Sequence, residues 1–247
     1  MNQLLDEIIT AIKTTVSDKS IGVAFSGGVD STLIAKLLND HGYDIHLLTI
    51  GFQDSHDINF AKEVNEILKF KHDILEIEPE SFQKVSEDVH DIIKTDNLSW
   101  NENSIAFYYV SKLAKKLGIS TVVTANGIDE LFCGYNAYRE AIGIGVDEVM
   151  NVMNQKLDNE KKMMIAVNNV TSLFDVKILQ PLLHEDFISY AKTIPISEKI
   201  TNSNDLQRKH AIRKLAASCG VPEISAYKQK KALQYGSKIH KQLLKLR

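Results

Sequence analysis

The chain has 247 residues, of which 44% are hydrophobic and 25% are charged, and its formal net charge is −3. This composition is ordinary for a globular protein, and the small net charge gives no global signal for nucleic acid or an anionic membrane as a partner. No apolar run reaches the length of a membrane span, so we expect no membrane partner. Cys133 and Cys219 are the only cysteines, which disfavours a disulfide framework and favours a reducing, cytoplasmic location.

Apolar spacing along the first half of the chain predicts helices and strands in alternation. Leu4, Ile8 and Ile12 recur at helical spacing, whereas Ile21–Phe25 is a short apolar run typical of a buried strand. The polar stretch Asn97–Asn101 interrupts the pattern and predicts a loop. The predicted helices are 2–16, 30–40, 57–70, 81–94 and 104–117, and the predicted strands are 21–25, 45–50, 73–77 and 120–124.

Strands that alternate with helices indicate β-α-β crossovers, and therefore a parallel sheet. The predicted fold class is α/β, with a twisted parallel sheet and helices on both faces. After Tyr138 the alternation stops, and we expect residues 1–142 to form the α/β core and residues 143–247 a helical subdomain that covers the site. Further helices are predicted at 147–167, 185–193, 206–218 and 239–246.

The first predicted strand runs directly into the turn Ser26-Gly27-Gly28-Val29-Asp30-Ser31 and then into a helix. Gly27 and Gly28 allow the backbone to approach a ligand closely, while Asp30 and Ser31 stand where N-cap and first-turn residues belong. Free N–H groups and the positive end of the helix dipole suit a phosphate. The spacing differs from both G-x-x-x-x-G-K-[ST] and G-x-G-x-x-G, so a Walker-type nucleoside triphosphatase is disfavoured.

Two more glycine-bearing segments, Gly51-Phe52 and Asn126–Glu130, also follow predicted strands. Because parallel strands end at one edge of a sheet, where ligands bind, we expect both segments to lie near the Ser26–Ser31 turn. Asp30 and Asp129 would then place two carboxylates beside a phosphate, an arrangement that suits Mg²⁺. A plain helix cap for Asp30 and a solvated loop acid for Asp129 stay open as alternatives.

Four segments of the chain carry a family resemblance. Ser26–Ser31 resembles the pyrophosphate loop (PP-loop) of the N-type ATP pyrophosphatases, and Asn126–Tyr135 resembles the G-x-D-E-x-x-x-G-Y segment of their asparagine synthetase and β-lactam synthetase branch. Phe174–His184 and Lys228–Ser237 are similar to two later segments of that branch. The chain thus resembles a stand-alone synthetase domain of the asparagine synthase family, which implies an adenine nucleotide alpha hydrolase-like fold.

The resemblance implies a ligase that uses ATP and Mg²⁺, adenylates a carboxylate such as that of aspartate or a related acid, and transfers ammonia or another amine. Asp30, Asp129 and Lys230 would be the catalytic residues, with both aspartates on the metal and Lys230 neutralising phosphate charge; a solvated basic tail is the alternative for Lys230. The implied nucleotide contacts are Ser26, Gly27, Gly28, Asp30 and Ser31 with pyrophosphate, Ile50, Gly51 and Phe52 with adenine, and Gly127 through its backbone.

The sequence departs from the family pattern where the acceptor should bind. Asn126 stands where an acidic residue usually precedes G-x-D-E, and Lys177–Pro181 replaces E-x-R-x-P, which removes an acid and an arginine. Asn2 stands where a glutaminase nucleophile would be, and the phosphate loop begins too early for a preceding glutaminase domain. We therefore expect free ammonia, another amine or a separate glutaminase partner to supply nitrogen.

Two other functions stay open at this point. A pyrophosphatase that modifies tRNA or transfers sulfur is disfavoured because the chain has no C-x-x-C pair and no RNA-binding appendage. A non-catalytic nucleotide-binding relative is suggested by the altered acceptor residues. The sequence does not name the acceptor.

Overall fold

A five-stranded parallel sheet forms the centre of the protein in a computed structural model, which describes residues 2–228 and 233–246. The strand order is β3-β2-β1-β4-β5, and every neighbouring pair is parallel. The predicted α/β fold class is confirmed. The strands are β1 (Ser20–Ala24), β2 (Asp44–Gly51), β3 (Lys71–Glu76), β4 (Thr121–Val123) and β5 (Lys177–Leu179).

Helices account for most of the remaining chain. The first seven are α1 (Asn2–Thr15), α2 (Val29–Asp40), α3 (His56–Leu68), α4 (Pro79–Ile93), α5 (Leu98–Lys116), α6 (Ile128–Leu131) and α7 (Ala137–Ile144). The others are α8 (Val146–Thr171), α9 (Glu185–Thr193), α10 (His210–Ser218), α11 (Glu223–Ala226), α12 (Leu233–Gly236) and α13 (Ile239–Leu243). Short 3₁₀ turns occur at Ser172–Phe174, Pro181–Leu183 and Ile196–Glu198.

The sheet is covered on both faces, as the sequence predicts. Leu47 and Leu48 are adjacent on β2, so their side chains point to opposite faces, and they belong to two different apolar clusters. Ile8 of α1 and Leu33 of α2 pack in the cluster of Leu47, while Phe107 of α5 packs in that of Leu48. Burial of each such side chain contributes about 1.5–3 kcal/mol, which holds helices against both faces.

Two sequence-based expectations are wrong. The segment after Tyr138 is not entirely helical, because β5 pairs with β4 through Val122 and Ile178 and extends the sheet. Three residues are too short a run for periodicity to reveal. The predicted loop at 97–101 is helical from Leu98 onward, because the Asn97 side chain caps α5 by accepting a hydrogen bond from the Trp100 amide at 3.2 Å. The division of the chain at residues 142 and 143 stays a prediction.

The strand order creates a topological switch point between β1 and β4. From β1 the chain proceeds outward to β2 and β3, and it then returns to the other side of β1 as β4. The connections after β1 and β4 therefore diverge and leave a crevice at the carboxyl ends of these strands, where such sheets bind ligands. In the part of the chain that the structure describes, no helix is long and apolar enough to cross a membrane.

Gly127, which follows β4, requires both its backbone conformation and its lack of a side chain. Its φ is +105°, and a Cβ atom there would lie 2.8 Å from the carbonyl oxygen of Leu182. We expect Gly127→Ala to lower the free energy of unfolding by about 1–3 kcal/mol, measured by urea denaturation. The control is Gly143→Ala in α7, where the nearest atom would be 3.9 Å away. Equal losses in both variants would contradict this account.

Candidate functional site

The Ser26–Ser31 turn, called the phosphate loop below, connects β1 to α2. Gly27 has a φ of +76°, and a Cβ atom there would lie 3.0 Å from the Phe60 ring, so α3 packs directly on the loop. The Ser31 hydroxyl donates to the Gly28 carbonyl at 3.2 Å and accepts from the Ser26 amide at 3.3 Å. These contacts fold the loop back over the first turn of α2.

The N-cap of α2 is Gly28, and Asp30 lies within the first turn, so the expectation that Asp30 occupies the cap itself is wrong. Gly28 has a φ of −67°, which any residue can adopt. Because glycine has no side chain, Gly28 cannot accept hydrogen bonds from the amide N–H groups in the first turn of α2. The helix therefore presents N–H groups and its positive dipole end to the crevice, as an anion requires.

Lys209 brings the two predicted carboxylates together. Its Nζ atom lies 2.5 Å from Oδ2 of Asp30 and 2.6 Å from Oδ1 of Asp129. Asp30 follows β1 and Asp129 follows β4, so this contact spans the switch point between the two strands. The predicted proximity of Asp30 and Asp129 is present, while their role as metal ligands stays a prediction.

Lys209 is 1% exposed, and its charge is retained because of its partners. Burial by itself would lower the pKa of Lys209, but the charges and hydrogen bonds of Asp129 and Asp30 outweigh this and raise the pKa above its ordinary value. The ammonium group is thus a fixed positive charge beside the phosphate loop at neutral pH.

Arg213 holds in place the backbone segment that contains Lys209. Its Nε atom donates to the carbonyl oxygens of Arg208 at 3.0 Å and Gln207 at 3.1 Å, and its Nη1 atom donates to that of Ala226 at 2.6 Å. Arg208 and Lys209 have positive φ values of 49° and 52°, so the helix that we expected from residue 206 begins only at His210.

A cavity of about 270 Å³ opens at this edge of the sheet. One wall consists of the phosphate loop with Asp30, Asp129, Lys209 and Lys228. A second wall, which we call the α8 wall, consists of Lys156, Asn159, Glu160 and Met163, and residues of α5 adjoin it, among them Ser99, Asn103 and Phe107. The predicted phosphate contacts and the two predicted metal ligands that line the cavity lie on the first wall.

Glu160 supplies an acidic group next to Asn126, where the sequence departs from the family pattern. The Glu160 side chain is buried, and its Oε1 atom accepts a hydrogen bond from Nδ2 of Asn126 at 2.5 Å. An acid from α8 therefore lies beside the position where the family pattern usually has one. Glu160 recurs at the helical spacing of Met153, Leu157 and Met164, and a lone charge on this apolar face was the sequence signal that could have revealed it.

Glu130 lies beside this pair and stabilises the turn after β4. Its Oε2 atom accepts from the Gly127 amide at 3.0 Å, and its Oε1 atom accepts from the hydroxyl of Tyr135. Burial of Tyr135 and the nearby Glu130 charge raise the pKa of its hydroxyl well above the usual value, so it stays a donor. Glu130 thus joins Gly127 and Tyr135, at the two ends of this turn, by hydrogen bonds. Asp129, the residue before Glu130, contacts Lys209 beside the phosphate loop.

Some of the predicted nucleotide contacts line the cavity, and others do not. Phe52 packs edge-on against Phe82 at 5.1 Å, and its amide donates to the Ser237 carbonyl at 3.0 Å. Contacts of the adenine with Ile50, Gly51 and Phe52 stay a prediction, and Lys230 lies outside the described residues. The predicted residues that line the cavity are Ser26, Gly28, Asp30, Ser31, Ile50 and Asp129, whereas Gly27, Gly51, Phe52 and Gly127 are not among its described lining residues.

The sequence did not single out several residues that line the cavity. Lys209 gave no signal, because it falls within the predicted helix 206–218 and a helical lysine is usually solvated. His56 and Asp57 at the start of α3 were likewise ordinary first-turn residues in the sequence. Lys228 begins a segment that carries the family resemblance, and its Nζ atom lies 4.3 Å from the centre of the Phe60 ring. These side chains reach the site from segments that are distant in the sequence.

A glycine-containing loop at the switch point of a parallel sheet, flanked by paired carboxylates and a buried lysine, defines an α/β protein with a candidate anion-binding site. The family model for asparagine synthase matches residues 3–166, which is more than half of the chain. The chain belongs to the asparagine synthase family.

Individual relatives are distant. A glutamine-hydrolyzing asparagine synthetase of Arabidopsis thaliana is 28% identical over 76% of this chain and 34% of its own length. A Methanocaldococcus jannaschii relative of the same kind is 27% identical over 92% of this chain and 47% of its own. The chain therefore spans less than half of these relatives. An NMN synthetase structure from Francisella tularensis covers 95% of this chain, and this chain covers 75% of it, with 15% identity and a TM-score of 0.48.

We expect Lys209→Met to destabilise the protein strongly, because it leaves Asp30 and Asp129 without their shared cation. Removing one member of a buried ion pair costs about 3–5 kcal/mol, which urea denaturation measures directly. Lys214→Met is the matched control, since Lys214 is an exposed lysine of α10, the helix that Lys209 precedes. A Lys209→Met variant as stable as Lys214→Met would contradict the structural role of this contact.

Proposed function

We propose that the protein is a Mg-ATP-dependent, AMP-forming ligase that adenylates a carboxylate and transfers ammonia or another amine to it. The observation that carries the proposal is the contact of Lys209 with Asp30 and Asp129 beside the phosphate loop. It places fixed positive charge, carboxylates and free helix amides in one crevice of a chain from the asparagine synthase family.

In this proposal, the phosphate loop binds the β- and γ-phosphates of ATP. The first-turn amides of α2 and the hydroxyls of Ser26 and Ser31 donate to the phosphate oxygens. Lys209 and Lys228 offset the charge that develops when pyrophosphate leaves. We expect Lys230 to act on the α-phosphate, as the family resemblance implies.

The residues present fit a magnesium ion that shares its coordination with the nucleotide. Carboxylate oxygens are the ligands Mg²⁺ prefers, and it takes one or two of them together with phosphate oxygens and water. Asp30 and Asp129 would hold it, and within the described residues no group of three potential metal-ligating side chains forms a complete protein cage. Bound in this way, the ion would supply charge neutralisation on the phosphates.

The chemistry then has two balanced steps. A carboxylate oxygen of the acceptor attacks the α-phosphorus, the bond to the β-phosphate bridging oxygen breaks, and pyrophosphate leaves with an acyl-adenylate formed. An amine attacks the acyl carbon, AMP leaves, and the nitrogen loses a proton. We propose Glu160 as the acceptor of that proton, because its buried carboxylate lines the same cavity and is held by Asn126.

Asp30→Asn tests the nucleotide half of the site. We expect wild-type protein with ATP, Mg²⁺, ammonium and a panel of single amino acids to release AMP and pyrophosphate, and Asp30→Asn to lower that rate by about 100-fold or more, the scale expected for one electrostatic group. Asp40→Asn, at the far exposed end of α2, is the matched control. Failure of the wild type to form AMP with every acid and amine would overturn the ligase proposal and favour a non-catalytic nucleotide binder.

Replacing ammonium with glutamine in the same assay identifies the nitrogen donor. We propose ammonia or another amine as the immediate nucleophile, delivered freely or by a separate glutaminase. The relatives named above are glutamine-hydrolyzing, but this chain spans less than half of each. Activity with ammonium and none with glutamine is the expected result for the purified chain, whereas equal activity with glutamine would contradict it.

Glu160→Gln tests the second step. We expect amide formation to fall by about 100-fold, the usual contribution of a general base, while pyrophosphate release falls less because adenylation precedes the amine attack. The measurement is the ratio of amide to pyrophosphate at several pH values. Asp158→Asn on an exposed face of α8 is the control. An unchanged ratio in Glu160→Gln would remove Glu160 from the proton transfer.

A further inference from the structure

We propose that Arg208 and Arg139 form a second anion site, which binds a small phosphate-type oxyanion between α7 and the loop before α10. The site is distinct from the phosphate loop, since neither arginine is among the described lining residues of the cavity. The inference goes beyond the ligase proposal and does not depend on it. It rests on a buried guanidinium group that the described part of the chain leaves incompletely paired.

Arg208 is a buried arginine with an unmatched donor. It is 7% exposed, and its Nη1 atom donates to Oδ1 of Asn136 at 2.9 Å. Its Nε atom is buried and has no hydrogen-bond partner among the described residues. Within residues 2–228 and 233–246, no carboxylate forms an ion pair with this guanidinium group. A buried charged donor without an acceptor is unfavourable, and an oxyanion that accepts from it would remove the penalty.

The acidic groups near Arg208 are engaged with other donors. The carboxylate of Asp205 accepts from backbone amides, among them that of Arg208 itself at 2.9 Å, and Asp129 contacts Lys209 at 2.6 Å. Burial and the nearby charge of Arg139 lower the pKa of Arg208 by more than the charges of Asp129 and Asp205 raise it. An added negative charge would therefore improve the surroundings of this guanidinium group.

Arg139 is held close to Arg208 by two shared neighbours. Its Nε atom donates to the Ser203 carbonyl at 2.8 Å, on the loop that leads to Arg208. Its amide donates to the carbonyl of Asn136 at 2.8 Å, while the side chain of Asn136 accepts from Arg208. Two guanidinium groups fixed near each other repel, and the planar, multiple donors of arginine suit phosphate oxygens.

The arginine pair is accessible from solvent. Asn136 and the loop residues 201–204 are exposed, and Arg139 is half-buried. An ion can therefore reach Arg139 and Asn136 from the surface without entering the cavity. The buried Arg208 adds a charge whose position is fixed in advance by Asn136, so little side-chain freedom is lost when an anion binds.

The second anion site is linked to the phosphate loop through the backbone. Arg208 directly precedes Lys209, both residues have positive φ values, and Arg213 donates to the Arg208 carbonyl at 3.0 Å. An anion that fixes Arg208 would therefore also restrain the residue that contacts Asp30. Because such an anion binds the folded chain, we expect it to stabilise the fold by mass action.

The test is calorimetric titration of inorganic phosphate into the full chain saturated with Mg²⁺ and α,β-methylene-ATP, with chloride keeping the ionic strength constant. The nucleotide analogue is included to occupy the phosphate loop. We expect one phosphate per chain with a Kd of about 1 mM, the scale for a few charge-assisted contacts. Arg208→Met and Arg139→Met should each weaken this binding by about 10- to 100-fold.

Lys214→Met is the matched control, because it removes one positive charge from the exposed surface of α10 and should keep the wild-type affinity. Wild-type protein that binds no phosphate, or arginine variants that bind it as tightly as the wild type, would overturn the inference. An equal loss in Lys214→Met would indicate general charge attraction and would also overturn it. If Arg208→Met does not fold, the half-buried Arg139 decides the result through its own variant.

Binding of the analogue is measured in a separate titration. Failure of the analogue to bind would contradict the proposed function. The comparison of phosphate binding between the wild type and the Arg208 and Arg139 variants would keep its meaning, because neither residue lines the described cavity. The two proposals can therefore fail independently.

Discussion

The contact of Lys209 with Asp30 and Asp129 is the interaction on which the site depends. It joins the start of α2, the turn after β4 and the N-cap of α10, and Lys209 and Asp30 are 179 residues apart in the chain. A buried ammonium is tolerated only when carboxylates offset its lost hydration. The three segments must therefore stay together for Lys209 to remain buried, and the phosphate loop is held with them.

The sheet order explains why these segments can meet at all. Because β1 and β4 are neighbours although they are far apart in the chain, the residues that follow them face each other across one crevice. The same crevice is closed from a second direction by α8, a long helix whose Glu160 reaches back to Asn126. Residues of the phosphate loop and of α8 thus line one cavity.

Local signals and distant contacts were not equally predictable. The phosphate loop, the α/β alternation and the carboxylates Asp30 and Asp129 are local features that strand and turn patterns reveal. Strand β5, the cap at Asn97 and the lysine at 209 were missed, because a three-residue strand, a single side-chain cap and a single lysine have no distinctive local pattern. Glu160 was an intermediate case, since a charge on an apolar helix face is visible in the sequence but its partner is not.

The sequence alone determined the fold class, the phosphate loop and the edge of the sheet at which the candidate site lies, because each follows from residue spacing within one element or from the rule for parallel strands. Only the tertiary structure decided which charges meet there. Lys209 at Asp30 and Asp129, and Lys156 and Glu160 on the α8 wall, lie far in sequence from the phosphate loop with which they line the cavity. Their proximity depends on how helices pack against the sheet, which residue spacing does not encode.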